Sequence, residues 1–168
     1  MTRMSRIQTR RLKAKSVSFI KLTPIGFVQT RTSLRLLKSR KAESRIIILD
    51  RYSEGLKGVN DFSHLIVLYW LHKDASEPVF LKVHPRGRPD TPLVGLFATR
   101  SGNRPNRIGL SVVELLQVKG STLKVRGLDA SHGTPVLDLK PYDLWDVKRS
   151  IKVPGWWKKL GTRRRKRA

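Results

Sequence analysis

Apolar residues in this chain fall in short runs, and alternation along them is commoner than helical spacing. Phe19–Thr30 (FIKLTPIGFVQT) is β-like, punctuated by Pro24 and Gly26, and a proline there argues for a strand start or an edge. Ser44–Asp50 holds Ile46, Ile47, Ile48 and Leu49, four branched apolar residues in a row, which suits a strand buried on both faces. Phe62–His72 (FSHLIVLYWLH) is the most apolar run, and its length and content predict a central strand. Val79–Val83 and Leu93–Thr99 read as shorter strands. Leu110–Lys119 fits a strand or a helix. Leu123, Val125 and Leu128 alternate after Gly120–Ser121, which gives a hairpin. Pro135–Tyr142 is a short strand ending at a proline, and Tyr52–Asn60 is a helical turn or a loop. Many short strands with few helical periods predict an all-β fold, a barrel or a compact sandwich.

Charge changes this picture at the ends. The chain has 168 residues and a formal charge of +24. Residues 1–16 and 158–168 are rich in arginine and lysine and hold no acid, while the body between is also basic. The division expected is a basic N-terminal arm over 1–16, one β-barrel domain over 17–157 and a basic tail over 158–168. A polyanion, above all a nucleic acid, is the natural partner for such a chain. No cysteine is present, which excludes disulfides, thiolate metal sites and a cysteine nucleophile and fits a reducing, cytoplasmic setting. His64, His72, His84 and His132 show no metal-ligand spacing, so no metal is expected. No run is long enough to span a membrane, and the N-terminus lacks a signal-peptide apolar region.

One loop concentrates candidate chemistry. Gly95–Ser111 (GLFATRSGNRPNRIGLS) sets Arg100, Arg104 and Arg107 among glycine, asparagine and proline. Arginine forks and loop N–H groups can converge on an anionic ligand there. A solvated basic connection is the plainer reading of the same composition. Asp138, Lys140 and Tyr142 occupy alternate positions and would share one face of a strand, as a functional face or as a structural ion pair beside a packed ring. Trp156 and Trp157, next to Lys158 and Lys159, suit base stacking or closure of the core or of a dimer seam.

Five segments in order carry a resemblance: PIGFVQT (Pro24–Thr30), DFSHLIVLYWLH (Asp61–His72), GLFATRS (Gly95–Ser101), RPNRIGLS (Arg104–Ser111), and LD followed by GTPVLDLKPY (Leu128, Asp129, Gly133–Tyr142). Together they resemble the TsaA-like family, that of the TrmO-type tRNA (adenosine-37 N6) methyltransferases, over about residues 22–157. The resemblance implies a small β-barrel, a homodimer, and S-adenosyl-L-methionine (SAM) as methyl donor. It implies a tRNA substrate met at the anticodon loop, where N6 of t6A at position 37 becomes m6t6A. Carried over by position, it implies cofactor contacts at Leu71, His72, Arg100, Leu110, Leu128, Asp129, Ala130 and Ser131. The family's D-x-K-P-Y element stands here as Asp138, Lys140, Pro141 and Tyr142, and Asp138, Lys140 and Tyr142 are the catalytic candidates. Arg100 suits the cofactor carboxylate, and Arg104 and Arg107 suit tRNA phosphates.

Two positions depart from the family pattern. Arg107 stands where a second proline is usual, which loosens the backbone and adds a cation. The connection after the first strand, SLRLLKSRKA, is short and lacks the Pro-Arg-Gln element that helps close the cofactor site. The competing function is therefore a non-catalytic RNA-binding protein on the same fold. An enzyme with a small-molecule substrate is a third reading, which the basic ends disfavour.

Overall fold

A computed structural model describes residues 20–33, 37, 39–72, 78–158 and 160. Its strands are β1 Gly26–Gln29, β2 Glu43–Ile48, β3 His64–Trp70, β4 Lys82–Val83, β5 Val94–Gly95, β6 Ile108–Lys119, β7 Thr122–Arg126 and β8 Pro135–Pro141. Six of them close an antiparallel barrel in the order β1–β2–β7–β6–β3–β8, with β8 pairing back onto β1. β4 and β5 make a separate two-stranded ribbon. The barrel is the architecture expected from the sequence, and the sandwich alternative falls. The N-terminal arm and almost all of the basic tail lie outside the described residues.

Alternation builds the barrel. On β3 the side chains of Leu65, Val67 and Tyr69 are buried, while those between them face outward. β6 is a twelve-residue strand whose residues Gly109, Ser111 and Val113 point inward. That settles the strand-or-helix question at Leu110–Lys119 in favour of the strand. Val28, Ile46, Ile48, Leu123, Val125, Leu128 and Val136 complete the core, which every barrel strand therefore shares. A residue buried once in such a core removes roughly 1.5–3 kcal/mol of apolar side chain from water. Turns follow local chemistry: Gly120 at the β6–β7 hairpin has φ 56°, a left-handed value that favours glycine.

Three readings need correction. β2 is not buried on both faces, because Glu43 and Arg45 are exposed and Ile47 is only half-buried, so the four-residue apolar run alternates like its neighbours. The strand expected over Val79–Val83 shrinks to two residues of the ribbon. The one expected over Leu93–Thr99 is two residues of β5 followed by a 3-10 turn at Leu96–Ala98. With only two register pairs, the ribbon has too little ladder to continue. The loop or helical turn expected after β2 is a pair of 3-10 helices, Asp50–Leu56 and Val59–Asp61. Among the described residues no helix is long and apolar enough to cross a membrane.

β8 holds one irregularity with consequences. Leu68 pairs with Asp138, but Tyr69 pairs with Val136, so Leu137 is left over as a bulge. A bulge shifts the alternation by one residue. Val136 points into the core before it, and Leu139 packs on the core after it. Asp138 and Lys140 are thereby turned to the outside of the barrel, where they form an ion pair at 2.7 Å.

Candidate functional site

The loop after β5 and the ends of β3 and β6 meet at one mouth of the barrel. The cleft there measures about 1400 Å³. Its inner wall is the barrel end, with Arg40, Tyr69, Leu71, Leu110, Ser111 and Asp129. Its outer wall is the ribbon and the C-terminal helical turn, with Lys82, His84, Arg86, Leu93, Trp157 and Leu160. Arg100 and Arg104 enter from the loop between these walls. Arg86 donates from Nη1 to the Leu160 carbonyl at 3.3 Å, which ties the ribbon to the C-terminal segment.

Tyr69 organises the inner wall. Its phenol donates to the Asp129 carbonyl at 2.9 Å and lies 3.2 Å from Ser111 Oγ. Ser111 Oγ also accepts from Asp129 N–H at 3.4 Å. Residues sixty positions apart are thus joined by one hydroxyl. Gly109 faces Tyr69 across the β3–β6 ladder, and a Cβ there would fall inside the tyrosine ring. Burial pushes the Tyr69 phenol above its ordinary value of 10.0. The bond with Ser111 opposes that rise, Asp129 adds to it, and the nearby positive charges of Arg40 and Arg100 oppose it.

The mouth combines apolar surface (Leu71, Leu110, Trp157), one carboxylate (Asp129) and a guanidinium (Arg100). Such walls fit a ligand with a flat apolar part, a carboxylate and cationic groups. The volume exceeds the roughly 300–1,000 Å³ usual for a single small ligand, which leaves room for a second one. Among the described residues no group of three or more His, Asp or Glu is placed to hold a metal.

Residues 29–145 match the sequence model of the tRNA-methyltransferase O N-terminal domain, well over half of the chain. The chain belongs to this family. An S-adenosyl-L-methionine-binding protein of Archaeoglobus fulgidus is 44% identical over 72% of this chain and 88% of its own length. A rat tRNA (adenine(37)-N6)-methyltransferase is 36% identical over 71% of this chain and 30% of its own. The crystal structure of TrmO from Pseudomonas aeruginosa superposes with a TM-score of 0.64 at 29% identity, covering 80% of this chain and 61% of that one. The chain therefore spans under two thirds of the solved TrmO protein and under a third of the rat enzyme.

The positions carried over from the TrmO pattern are brought together in part. Leu71, Arg100, Leu110 and Asp129 line the cleft from four separate segments. Leu128 and Ala130 flank Asp129 but turn their side chains into the core, at 0% and 5% exposure, so they offer only backbone. Ser131 faces Thr134, its Oγ 3.4 Å from Thr134 Oγ1, and His72 is half-buried beside Leu71 without lining the cleft. Asp138, Lys140 and Tyr142 share the outer barrel wall rather than the cleft. Asp138 also accepts from Leu139 N–H at 2.9 Å, and the Tyr142 ring lies 6.4 Å from that of His64.

The loop arginines do not divide as the sequence suggests. Arg104 donates from Nη1 to the Thr99 carbonyl at 3.1 Å and sits over the Phe97 ring at 5.5 Å. Arg107 is only 9% exposed, and its carbonyl accepts from Leu71 N–H at 2.8 Å. It is buried outside the lining of the cleft and is not an outward phosphate contact. Asn103 ties the loop down, its side-chain amide donating to the Pro78 carbonyl. Sequence reasoning missed Arg40, Tyr69, Gly109 and the ribbon cations Lys82 and Arg86. The one available signal was a tyrosine opposite a glycine in two strands that pair, which needs the register to be known.

Proposed function

We propose that this protein is a SAM-dependent tRNA methyltransferase that methylates N6 of t6A at position 37, giving m6t6A, in the cytoplasm. The observation that carries the reading is the convergence of Leu71, Arg100, Leu110 and Asp129 on one cleft, in a chain 44% identical to a protein named for binding SAM. SAM supplies a methyl group made electrophilic by a sulfonium. Arg100 holds the cofactor carboxylate by its fork, and Asp129 answers its cationic groups. Leu71 and Leu110 cover the apolar part and exclude water.

As N6 takes the methyl group its C–N bond forms, the S–C bond breaks and the N6 proton must leave. Asp138, steadied by Lys140 and by the Leu139 N–H, is the proposed acceptor, with Tyr142 beside it. These three lie outside the cleft of their own chain, and a homodimer resolves that separation. Ile108, Leu110 and Val112 project from β6 with 41–47% exposure, and they pair with Trp70, Leu68 and Ile66 on β3. This exterior apolar face adjoins Asp138 and Lys140, which pair with Leu68 and Ile66. A two-fold axis along these strands sets the partner's Asp138 over this copy's β6, beside the cleft.

Lys82 and Arg86 give the cleft's outer side positive charge that suits tRNA phosphates. The basic arm and tail extend that contact. Incubation with methyl-labelled SAM and tRNA lacking m6t6A tests the reading. Label should enter tRNA, and Arg100→Ala should lose the thermal shift that SAM gives the parent protein. A protein that binds tRNA but shows no shift at millimolar SAM would be the non-catalytic RNA binder instead.

A further inference from the structure

Of the four arginines that line the cleft, Arg86 and Arg104 donate to backbone carbonyls, which leaves two guanidinium groups, and the cofactor brings one carboxylate. Arg100 accounts for one of them. Arg40 is the other, and it comes from the shortened connection between β1 and β2, in which the family's usual element is missing. Its backbone has φ 60°, a left-handed conformation that non-glycine residues adopt uncommonly and that clusters at functional sites. Local bonds hold it there: Arg40 N–H donates to the Leu37 carbonyl at 3.0 Å, and Gly127 N–H donates to the Ala42 carbonyl at 3.1 Å. The Arg40 carbonyl lies beside Gly127, where an added Cβ would stand 3.4 Å from it, an ordinary contact. The turn that carries Asp129 and the connection that carries Arg40 are thereby held side by side.

The Arg40 side chain is exposed to the cleft, and among the described residues it has no ion-pair partner. Arg40 and Arg100 line the same cleft as Tyr69 and come to it from separate segments. The outer wall has its own cations for phosphates, Lys82 and Arg86. Arg40 stays on the inner wall of the cleft.

The substrate reading, on which this inference rests, puts an anion there. The threonylcarbamoyl group of t6A ends in a carboxylate only three atoms from N6, so an enzyme that holds N6 at the methyl donor meets that carboxylate in the same cleft. A carboxylate left unpaired on desolvation is costly, and a guanidinium fork matches it with two hydrogen bonds. We propose that Arg40 binds the carboxylate of the modified adenosine while Arg100 binds that of the cofactor, which makes Arg40 the residue that selects t6A over unmodified adenosine.

The test uses the full-length protein with two substitutions. Arg40→Gly keeps the left-handed backbone and removes the cation. Arg40→Lys keeps charge without the fork. Calorimetry measures SAM affinity, and binding is measured to two matched anticodon stem-loops, one with t6A and one with adenosine at position 37. In Arg40→Gly the t6A stem-loop should weaken about 10- to 100-fold, as for one charge-assisted pair. SAM and the adenosine stem-loop should stay within about twofold, and Arg40→Lys should fall between the two proteins. A loss of SAM affinity with an unchanged t6A preference would assign Arg40 to the cofactor carboxylate and overturn the proposal. Equal losses on both stem-loops would make it a phosphate contact and overturn it as well. Absence of any methyl transfer by the parent protein sinks the activity itself, whereas transfer with an unmoved preference in Arg40→Gly sinks only this assignment.

Discussion

Gly109 and Tyr69 depend on each other. The tyrosine ring occupies the space a side chain at 109 would take, and only from there does its hydroxyl reach Asp129 and Ser111. Gly109→Ala should therefore destabilise the protein by about 1–3 kcal/mol, as overpacking does, and weaken SAM binding by displacing the 128–131 turn. Urea unfolding together with a SAM titration checks both, and unaltered values would show that the ring is free to move. Tyr69→Phe removes the hydrogen bonds to Asp129 and Ser111 and should cost about 1–3 kcal/mol near neutrality. It should also change the alkaline limb. A phenol whose folded value is raised contributes stability in full below 10.0, and that stability is lost as pH rises from there through the raised value. The parent should thus lose more stability than Tyr69→Phe between neutral pH and the region above 10.0, read from unfolding curves across that range. Neither residue stood out in the sequence, because their meaning lies in a register match. Leu71, Arg100, Leu110 and Asp129 did stand out, since each sits in a short segment whose spelling can be compared directly.

At the scale of elements, the β8 bulge decides where the D-x-K-P-Y element points. Strict alternation from Val136 would have driven Asp138 and Lys140 into the core, and the leftover Leu137 turns them out. Their ion pair is 42–60% exposed by side chain, so it contributes little to stability, about 0–1 kcal/mol. Asp138→Asn should accordingly leave folding within about 1 kcal/mol while lowering methyl transfer by roughly 10²- to 10⁴-fold, the range for a lost general base. Activity within threefold of the parent would leave Asp138 and Lys140 as a structural pair only. Alternation itself was legible in β7, whose inward Leu123 and Val125 differ sharply in character from the outward Thr122, Lys124 and Arg126. It was hidden in β2, where Ile47 faces outward yet is as apolar as its neighbours, and in β4 and β5, where glycine and proline leave two residues each. A bulge has no signature in a single sequence, so the direction of Asp138 could not be read without the β3 register.

For the whole molecule, the exterior apolar face of β3 and β6 is the feature a lone barrel leaves unexplained. Ile108, Leu110 and Val112 alternate with the buried Gly109, Ser111 and Val113, so the outer face of this strand is apolar. Val112→Glu lies away from the cleft lining and should convert a dimer to a monomer in analytical ultracentrifugation, with methyl transfer falling at least tenfold and the monomer still folded. A parent protein that sediments as a monomer while remaining active would exclude a site shared between copies. The basic ends were the plainest feature of the sequence and pointed to a polyanion, but charge carries no information on chemistry. Chemistry rests on the cleft at the mouth of the barrel. The most direct measurement is mass spectrometry of nucleosides from tRNA incubated with the protein and SAM carrying a heavy methyl group. The expected product is heavy-methyl m6t6A, formed from t6A and located at position 37. Unchanged t6A, with the heavy methyl absent or on another nucleoside, would contradict it.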